Sequence, residues 1–296
     1  MTNKEFKERY KLDEGYCIKK ADKNTFLNYY AVYSGYKCDG GFFKKSYELI
    51  KTDIYTEDCF WIQAGNNRIG GVALKKNEIT QLFFIPPFSK EKDILPLLIK
   101  LLVDLSDKGK DISVFTTESA HIEIYENIGF QEYERGRWMI RPTEEFNVQW
   151  ENEFKIINPK KEHSKDIESL LYEAFGEEHS LEFWKQFSQE YFDESKYDGV
   201  LNQASTLVYD KKTNELIGAC LISQWQEWPL VSQIGVKKSY EGKGIGTRML
   251  KVALSSLKDH YPVVRLYAMV GGKAEKLYYN LGFLKGIELV YMNKKY

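Results

Sequence analysis

Three closely spaced glycines precede a stretch of helical periodicity in the last third of the chain. Gly242, Gly244 and Gly246 alternate with other residues, and the apolar residues that follow recur at the spacing of a buried helix face. The first turn of a helix presents free backbone N–H groups and the positive end of the helix dipole. Glycines lack the Cβ atoms that would keep an anion away from these donors. The pattern indicates a loop that binds phosphate or pyrophosphate, although a plain turn before a helix has the same signature.

The spacing differs from that of other common phosphate loops. No Walker A motif occurs in the sequence, and Thr247 stands where a dinucleotide fingerprint would have its third glycine. If the loop binds a nucleotide or cofactor, the site is therefore neither a Walker A loop nor a dinucleotide fold's phosphate loop.

A second motif follows downstream and includes Tyr278, next to Tyr279. Together the two motifs resemble the signatures of the GNAT superfamily of acyl-CoA-dependent N-acyltransferases. In that family the first motif runs Arg/Gln-x-x-Gly-x-Gly/Ala and the second Ala-x-x-Leu-Tyr-x-x-x-Gly-Phe. The second is matched here by Ala274, Leu277, Tyr278, Gly282 and Phe283. The resemblance covers the chain from about residue 154 to residue 296.

The chain departs from the family pattern at two positions. Glu241 stands where the first motif has Arg or Gln, and Gly271 stands where an Asn commonly precedes the motif's Ala by three residues.

The resemblance implies acetyl-CoA, or another acyl-CoA, as the acyl donor, and no metal. The pyrophosphate of this donor would lie on the backbone N–H groups of the glycine loop. The pantetheine of the donor would pair with the preceding strand as an added strand does. The implied cofactor-binding residues are Ile234, Gly235, Val236, Glu241, Gly242, Lys243, Gly244, Ile245, Gly246 and Thr247.

The resemblance also implies that Tyr278 is the general acid that protonates the departing CoA thiolate. The alternative is a tyrosine that packs its ring in the core. The general base has no fixed motif: Glu227, Glu241 and Glu288 are candidates, although each is more typical of an ordinary exposed acid.

Composition sets the broad class of the protein. The 296 residues suffice for two domains, and 43% hydrophobic with 29% charged residues is typical of a soluble globular protein. A formal net charge of −1 argues against a general nucleic-acid binder, and four scattered cysteines support neither a metal site nor a disulfide framework. Residues 1–14 lack the apolar core of a signal peptide, and no apolar run could span a bilayer. We therefore expect a cytoplasmic protein with no nucleic-acid or membrane partner.

The order of predicted elements repeats between the two halves of the chain. Residues 13–60 show no clear pattern, and after them the first half alternates three antiparallel strands with helices and further strands. The predicted strands of the first half are 60–64, 69–74, 79–85, 112–117 and 130–140, with helices at 95–105 and 121–128. The predicted strands of the second half are 205–209, 216–224, 231–236, 263–270 and 284–292, with helices after the glycine loop and at 274–281.

These repeats predict an α/β (α+β) fold of two tandem GNAT-like domains, each a mixed, mostly antiparallel sheet flanked by helices. Residues 1–147 form a degenerate domain without a cofactor loop, since Pro86, Pro87 and Phe88 replace the glycines. Residues 148–296 form the acyltransferase domain that binds acyl-CoA.

The predicted function is transfer of an acetyl group from acetyl-CoA to a primary amine of a small molecule by direct attack. Two alternatives remain open at this point: a CoA-binding regulatory or assembly module with little catalysis, and an acetyltransferase for a protein or peptide amine. The sequence does not identify the acceptor or the oligomeric state.

Overall fold

The computed structural model describes residues 6–34, 42, 46–52, 54, 56, 58–88, 90–116, 119–176, 179–192 and 199–295. The chain forms two compact units. Unit 1 consists of Met1–Arg137 together with Ile287–Tyr296, and unit 2 consists of Trp138–Gly286. None of the helices within the described residues is long and apolar enough to cross a membrane.

The elements of the first half alternate strands and helices after an initial hairpin. They are β1 (Arg9–Lys11), β2 (Tyr16–Lys20), α1 (Lys23–Tyr33), α2 (Tyr47–Lys51), β3 (Cys59–Ala64), β4 (Asn67–Lys75), β5 (Glu78–Phe84), α3 (Glu91–Leu105), β6 (Ile112–Thr116), α4 (Ser119–Asn127) and β7 (Gln131–Pro142).

The second half begins with a strand and three helices before the same alternation resumes. Its elements are β8 (Phe154–Ile157), α5 (Ser164–Phe175), α6 (Leu181–Tyr191), α7 (Gly199–Ala204), β9 (Thr206–Asp210), β10 (Leu216–Trp225), β11 (Trp228–Val236), α8 (Ile245–Leu257), β12 (Val263–Met269), α9 (Lys273–Asn280) and β13 (Leu284–Lys294).

Unit 1 is built on a mixed sheet between helices. Its strands β1 to β5 are antiparallel neighbours, whereas β5 and β6 run parallel. Alternate side chains of the sheet point to opposite faces, so one face packs on α3 through Ile94 and Leu98, and the other packs on α1 through Phe26 and Tyr30.

The last strand of the chain completes unit 1. In β13, Val290 pairs with Thr116 and Met292 with Val114, both in antiparallel register with β6. Val290 and Met292 are buried in the same core as α3. Residues from the end of the second half thus fill the core of the first unit. The predicted domain boundary between residues 147 and 148 divides two sequence repeats, whereas the two units are divided by their compactness. The predicted boundary therefore stays a prediction.

Substituting Met292 should destabilise unit 1 although this residue lies near the end of the chain. Met292 is completely buried, so Met292→Ala should lower the free energy of unfolding by about 2–5 kcal/mol. Hydrogen exchange should then accelerate at the amides of α3. Lys295→Ala, which alters an exposed residue nearby, is the control. Faster exchange confined to α8 would contradict the assignment of β13 to unit 1.

Unit 2 has the same arrangement of strands. Strands β8, β9, β10 and β11 are antiparallel neighbours, and β11 runs parallel to β12. Helix α8 packs on one face through Met249 and Leu254, and α5 and α6 pack on the other through Leu171 and Trp184. The predicted tandem fold of mixed, mostly antiparallel sheets flanked by helices is confirmed.

Candidate functional site

A cavity of 410 Å³ in unit 2 lies where β11 leads into α8. It is formed by the end of β11 and Tyr240, by the glycine loop with the first turn of α8, and by the first half of α9. Its lining residues are Val236, Tyr240, Glu241, Gly242, Gly244, Ile245, Gly246, Thr247, Lys273, Ala274 and Leu277.

The glycine loop has a backbone conformation that side chains disfavour. Gly242 and Gly244 have φ angles of +77° and +76°, in the left-handed region where a Cβ atom is strained. Gly244 is the N-cap of α8, and Arg248 N–H donates to its carbonyl over 3.1 Å as the helix begins. Within the described part of the chain no side chain caps α8. The first-turn N–H groups therefore face the cavity region without a competing side-chain acceptor.

Gly246 keeps the cavity open for a steric reason. A Cβ atom at this position would lie 3.8 Å from Leu277, 3.9 Å from Val236 and 4.0 Å from Ile234, which is ordinary van der Waals contact. A methyl group therefore fits, whereas a longer side chain would extend into the cavity.

Three residues implied as cofactor-binding do not line this cavity: Ile234, Gly235 and Lys243. Gly235 serves packing on the other face of the sheet, since a Cβ atom there would lie 3.0 Å from Leu171. The ammonium group of Lys243 lies over the ring of Tyr240, 4.5 Å from its centroid. For these three residues, contact with a cofactor stays a prediction.

Arg248 supports the loop rather than the cavity. Its guanidinium donates over 2.9 Å to the carbonyl of Lys243 and forms an ion pair with Glu151 at 2.5 Å. The side chain thus ties the glycine loop to a segment before β8.

The parallel strands β11 and β12 separate towards the cavity. They pair at Leu230 with Arg265 and at Val231 with Leu266. Both strands continue beyond these pairs, to Val236 and to Met269, without further pairing to each other within the described residues. This opening leaves backbone groups of β11 available to an extended ligand, as strand addition requires.

Tyr278 lies in the core beneath α9. It is 6% exposed, its ring lies 6.0 Å from that of Phe283, and it is not among the residues that line the cavity. Burial, together with the nearby Cys220 thiol, raises the pKa of its hydroxyl well above the usual value. The hydroxyl therefore stays protonated at physiological pH. Its role as a general acid stays a prediction.

The three candidate bases are in different surroundings. Glu227 lies exposed in the turn between β10 and β11. Glu288, in unit 1, forms ion pairs with Arg135 at 2.9 Å and with Arg137. Glu241 lines the cavity, with its carboxylate 3.7 Å from the ammonium of Lys273. Only Glu241 of the three lies at the candidate site.

Sequence reasoning overlooked Lys273 and Glu275, at the start of α9. Glu275 is 5% exposed, accepts from the N–H of Gly271 over 2.8 Å, and pairs with Lys285 at 3.1 Å. Gly271 has a φ of +77°, a conformation that glycine and asparagine adopt most readily. Glycine, which stands here in place of the family's Asn, adopts this conformation without strain. The signal available in the sequence was that charged residues, Lys273 and Glu275, flank the motif's Ala274.

Among its described residues, unit 1 shows no such glycine loop at the corresponding place. There Phe88 packs against the core, and Lys90 is the N-cap of α3. Glu91 and Asp93 in the first turn already supply negative charge to the positive end of the helix. A phosphate at this terminus would meet two carboxylates instead of glycines.

Residues 166–283 match the model of the acetyltransferase (GNAT) family. No curated protein matches the sequence.

Three solved structures have a similar fold over nearly the whole chain. The structure of a GCN5-related N-acetyltransferase from Sphaerobacter thermophilus has a TM-score of 0.70 at 15% identity, covering 96% of this chain and 97% of its own. A tandem GNAT protein of the clavulanic acid pathway has a TM-score of 0.59 at 10% identity, covering 95% and 98%. A glucosamine N-acetyltransferase region of a fungal multi-domain enzyme has a TM-score of 0.66 at 11% identity, covering 94% of this chain and 38% of its own. At these identities the likeness is one of fold.

Proposed function

Since this chain carries a domain of the acetyltransferase (GNAT) family at residues 166–283, we propose that it transfers an acetyl group from acetyl-CoA to the primary amine of a small molecule. The observation that supports this most is the 410 Å³ cavity at the uncapped N-terminus of α8. A helix terminus of this kind binds phosphate groups through backbone N–H donors and the helix dipole.

The residues present fit the pyrophosphate part of acetyl-CoA. Gly242 and Gly244 contribute no side chain to the loop, and their φ angles of +77° and +76° are ones that other residues disfavour. Thr247 lines the same cavity and adds a hydroxyl that can donate to a phosphate oxygen. The separation of β11 from β12 offers backbone donors and acceptors to the pantetheine arm.

In the proposed reaction, bound acetyl-CoA supplies a thioester whose carbonyl carbon is attacked by the neutral amine. A C–N bond forms and the C–S bond breaks, so the product is an amide and free CoA. The hydroxyl of Tyr278 gives its proton to the departing thiolate and regains one from water. The proton lost by the amine nitrogen passes to water at the open cavity.

The buried position of Tyr278 suits a group that must remain protonated until the thiolate forms. Its raised pKa makes it a weaker acid than an exposed tyrosine.

The proposed acceptor is a small molecule with a primary amine. Glucosamine, named for the fungal relative, is a primary amine on a small molecule. At 11% identity the likeness to this relative is one of fold. We therefore propose small primary amines as a class and no particular acceptor. We also propose that the protein is cytoplasmic and that its partners include neither nucleic acid nor a membrane.

The test is a screen of small amines with the purified full chain and acetyl-CoA, in which release of free CoA thiol is measured. We expect amine-dependent thiol release with at least one amine, and mass spectrometry should identify the acetylated product. Peptides with free N-termini in the same screen test the alternative of a peptide amine. Binding of CoA without thiol release for any amine or peptide would favour a regulatory module instead.

CoA should bind to the full chain with a stoichiometry of one. The loop before α8 offers glycines and free N–H groups, whereas the corresponding place before α3 has Phe88 and two first-turn acids. Titration calorimetry with CoA measures this directly. Two equivalent sites per chain would show that unit 1 binds CoA without a glycine loop.

A further inference from the structure

Two oppositely charged side chains lie at the solvent-exposed edge of the cavity. Glu241 belongs to the glycine loop and Lys273 is the first residue of α9, and both line the cavity. The Glu241 Oε2 and Lys273 Nζ atoms are 3.7 Å apart. The side chain of Lys273 is 98% exposed and that of Glu241 is 50% exposed. An ion pair so exposed to water is weak and exchanges partners easily.

The position of Glu241 is unfavourable for a site that binds anions. A carboxylate repels a phosphate group that approaches the N-terminus of α8, and it partly cancels the dipole that favours binding. The resemblance to the family places Arg or Gln at this position, so the chain lacks the positive or neutral side chain expected there. A cation from elsewhere must then offset the charge of Glu241.

Two other cations close to the loop, Lys243 and Arg248, are engaged in contacts of their own. The ammonium of Lys243 lies over the ring of Tyr240, and Arg248 pairs with Glu151 at 2.5 Å. Neither residue is among those that line the cavity. Lys273 does line it, and among the described residues its ammonium forms an ion pair with Glu241 alone.

We propose that Lys273 is the cation that draws the pyrophosphate of the acyl donor into this cavity, and that Glu241 is its weak partner until the donor arrives. On binding, the ammonium of Lys273 exchanges the carboxylate of Glu241 for a phosphate oxygen. Glu241 then lowers the affinity for the donor, because its pair with Lys273 must be broken and its charge faces the phosphates. This inference rests on the proposed function, since it requires a polyanionic donor.

The experiment compares dissociation constants of CoA, measured by calorimetry at low ionic strength, for single and double variants of the full chain. Lys273→Gln should weaken binding by about three- to tenfold, and Glu241→Gln should strengthen it by about two- to fivefold. Lys276→Gln is the matched control, because it removes the same charge from an exposed position on α9 outside the cavity. The double variant Glu241→Gln/Lys273→Gln is compared with Lys273→Gln alone. The gain in affinity between these two should be smaller than the gain from the wild type to Glu241→Gln.

The results separate this inference from the proposed function. If the wild type does not bind CoA, the proposed function fails, and the inference fails with it. If the wild type binds CoA but Lys273→Gln weakens binding no more than Lys276→Gln, only the role of Lys273 is overturned. If Glu241→Gln binds CoA more weakly than the wild type, the proposal that Glu241 lowers the affinity for the donor is overturned. All the substituted side chains are exposed, so thermal unfolding should be unchanged in every variant.

Discussion

Tyr278→Phe should lower the turnover number by a factor on the order of 10²–10⁴ while the affinity for CoA stays nearly constant. The substitution keeps the ring that packs near Phe283 and removes only the hydroxyl. Without this proton donor the thiolate must leave unprotonated or take a proton from water, which raises the barrier of the chemical step. Steady-state kinetics with the best amine from the screen, combined with calorimetry of CoA, measure the two quantities.

Tyr279→Phe is the matched control for this prediction. Tyr279 is the next residue along α9 but is 61% exposed, so the loss of its hydroxyl should leave turnover unchanged. The pKa of the Tyr278 hydroxyl is raised, so this group does not lose its proton at moderately alkaline pH and should cause no fall in turnover there. Near-normal turnover of Tyr278→Phe, with chemistry shown to be rate-limiting, would assign Tyr278 to packing alone.

Much of the fold could be predicted because its elements carry strong periodic signals. The three strands that became β3, β4 and β5 are short, mainly apolar runs between clear turns, and their predicted bounds differ from the observed ones by few residues. The tandem arrangement followed from the repeated order of elements. It reappears in the structure as two parallel pairs, β5 with β6 and β11 with β12.

Other features depend on contacts that a single sequence does not reveal. The sequence assigns β13 to the second half, yet Val290 and Met292 are buried in the core of unit 1. Arg265 interrupts an apolar strand in the sequence, but in unit 2 it is almost fully buried and donates to the carbonyl of Trp225 over 2.6 Å. Strand partners and buried cations are set by long-range packing, which overrides local pattern.

The candidate site was predictable to the extent that it depends on local backbone. The glycine loop before α8 has the conformation that its glycines suggest, since Gly242 and Gly244 adopt left-handed φ angles. The pair of Glu241 and Lys273 could not be inferred in this way, because its members lie in different elements. The depth of Tyr278 also depends on how α9 packs, which the motif alone does not specify.

Gly246→Leu should weaken the binding of CoA by a factor on the order of 10²–10⁴, the value expected if two or so charge-assisted hydrogen bonds to phosphate are lost. Gly246 has no left-handed φ, so a side chain here causes no backbone strain, in contrast to Gly244 with its φ of +76°. The Cβ atom meets Leu277 at 3.8 Å, and the rest of a leucine side chain would extend into the cavity.

Gly246→Ala is the matched control, because its single methyl group stays within ordinary contact distance of Leu277, Val236 and Ile234. We expect it to bind CoA within a few-fold of the wild type. Both substitutions replace a glycine inside α8 with a better helix former, so neither should lower the melting temperature. Loss of binding in Gly246→Leu with an unchanged melting temperature therefore reports on the cavity and not on folding. Equal affinity of the leucine and alanine variants for CoA would show that the donor binds elsewhere.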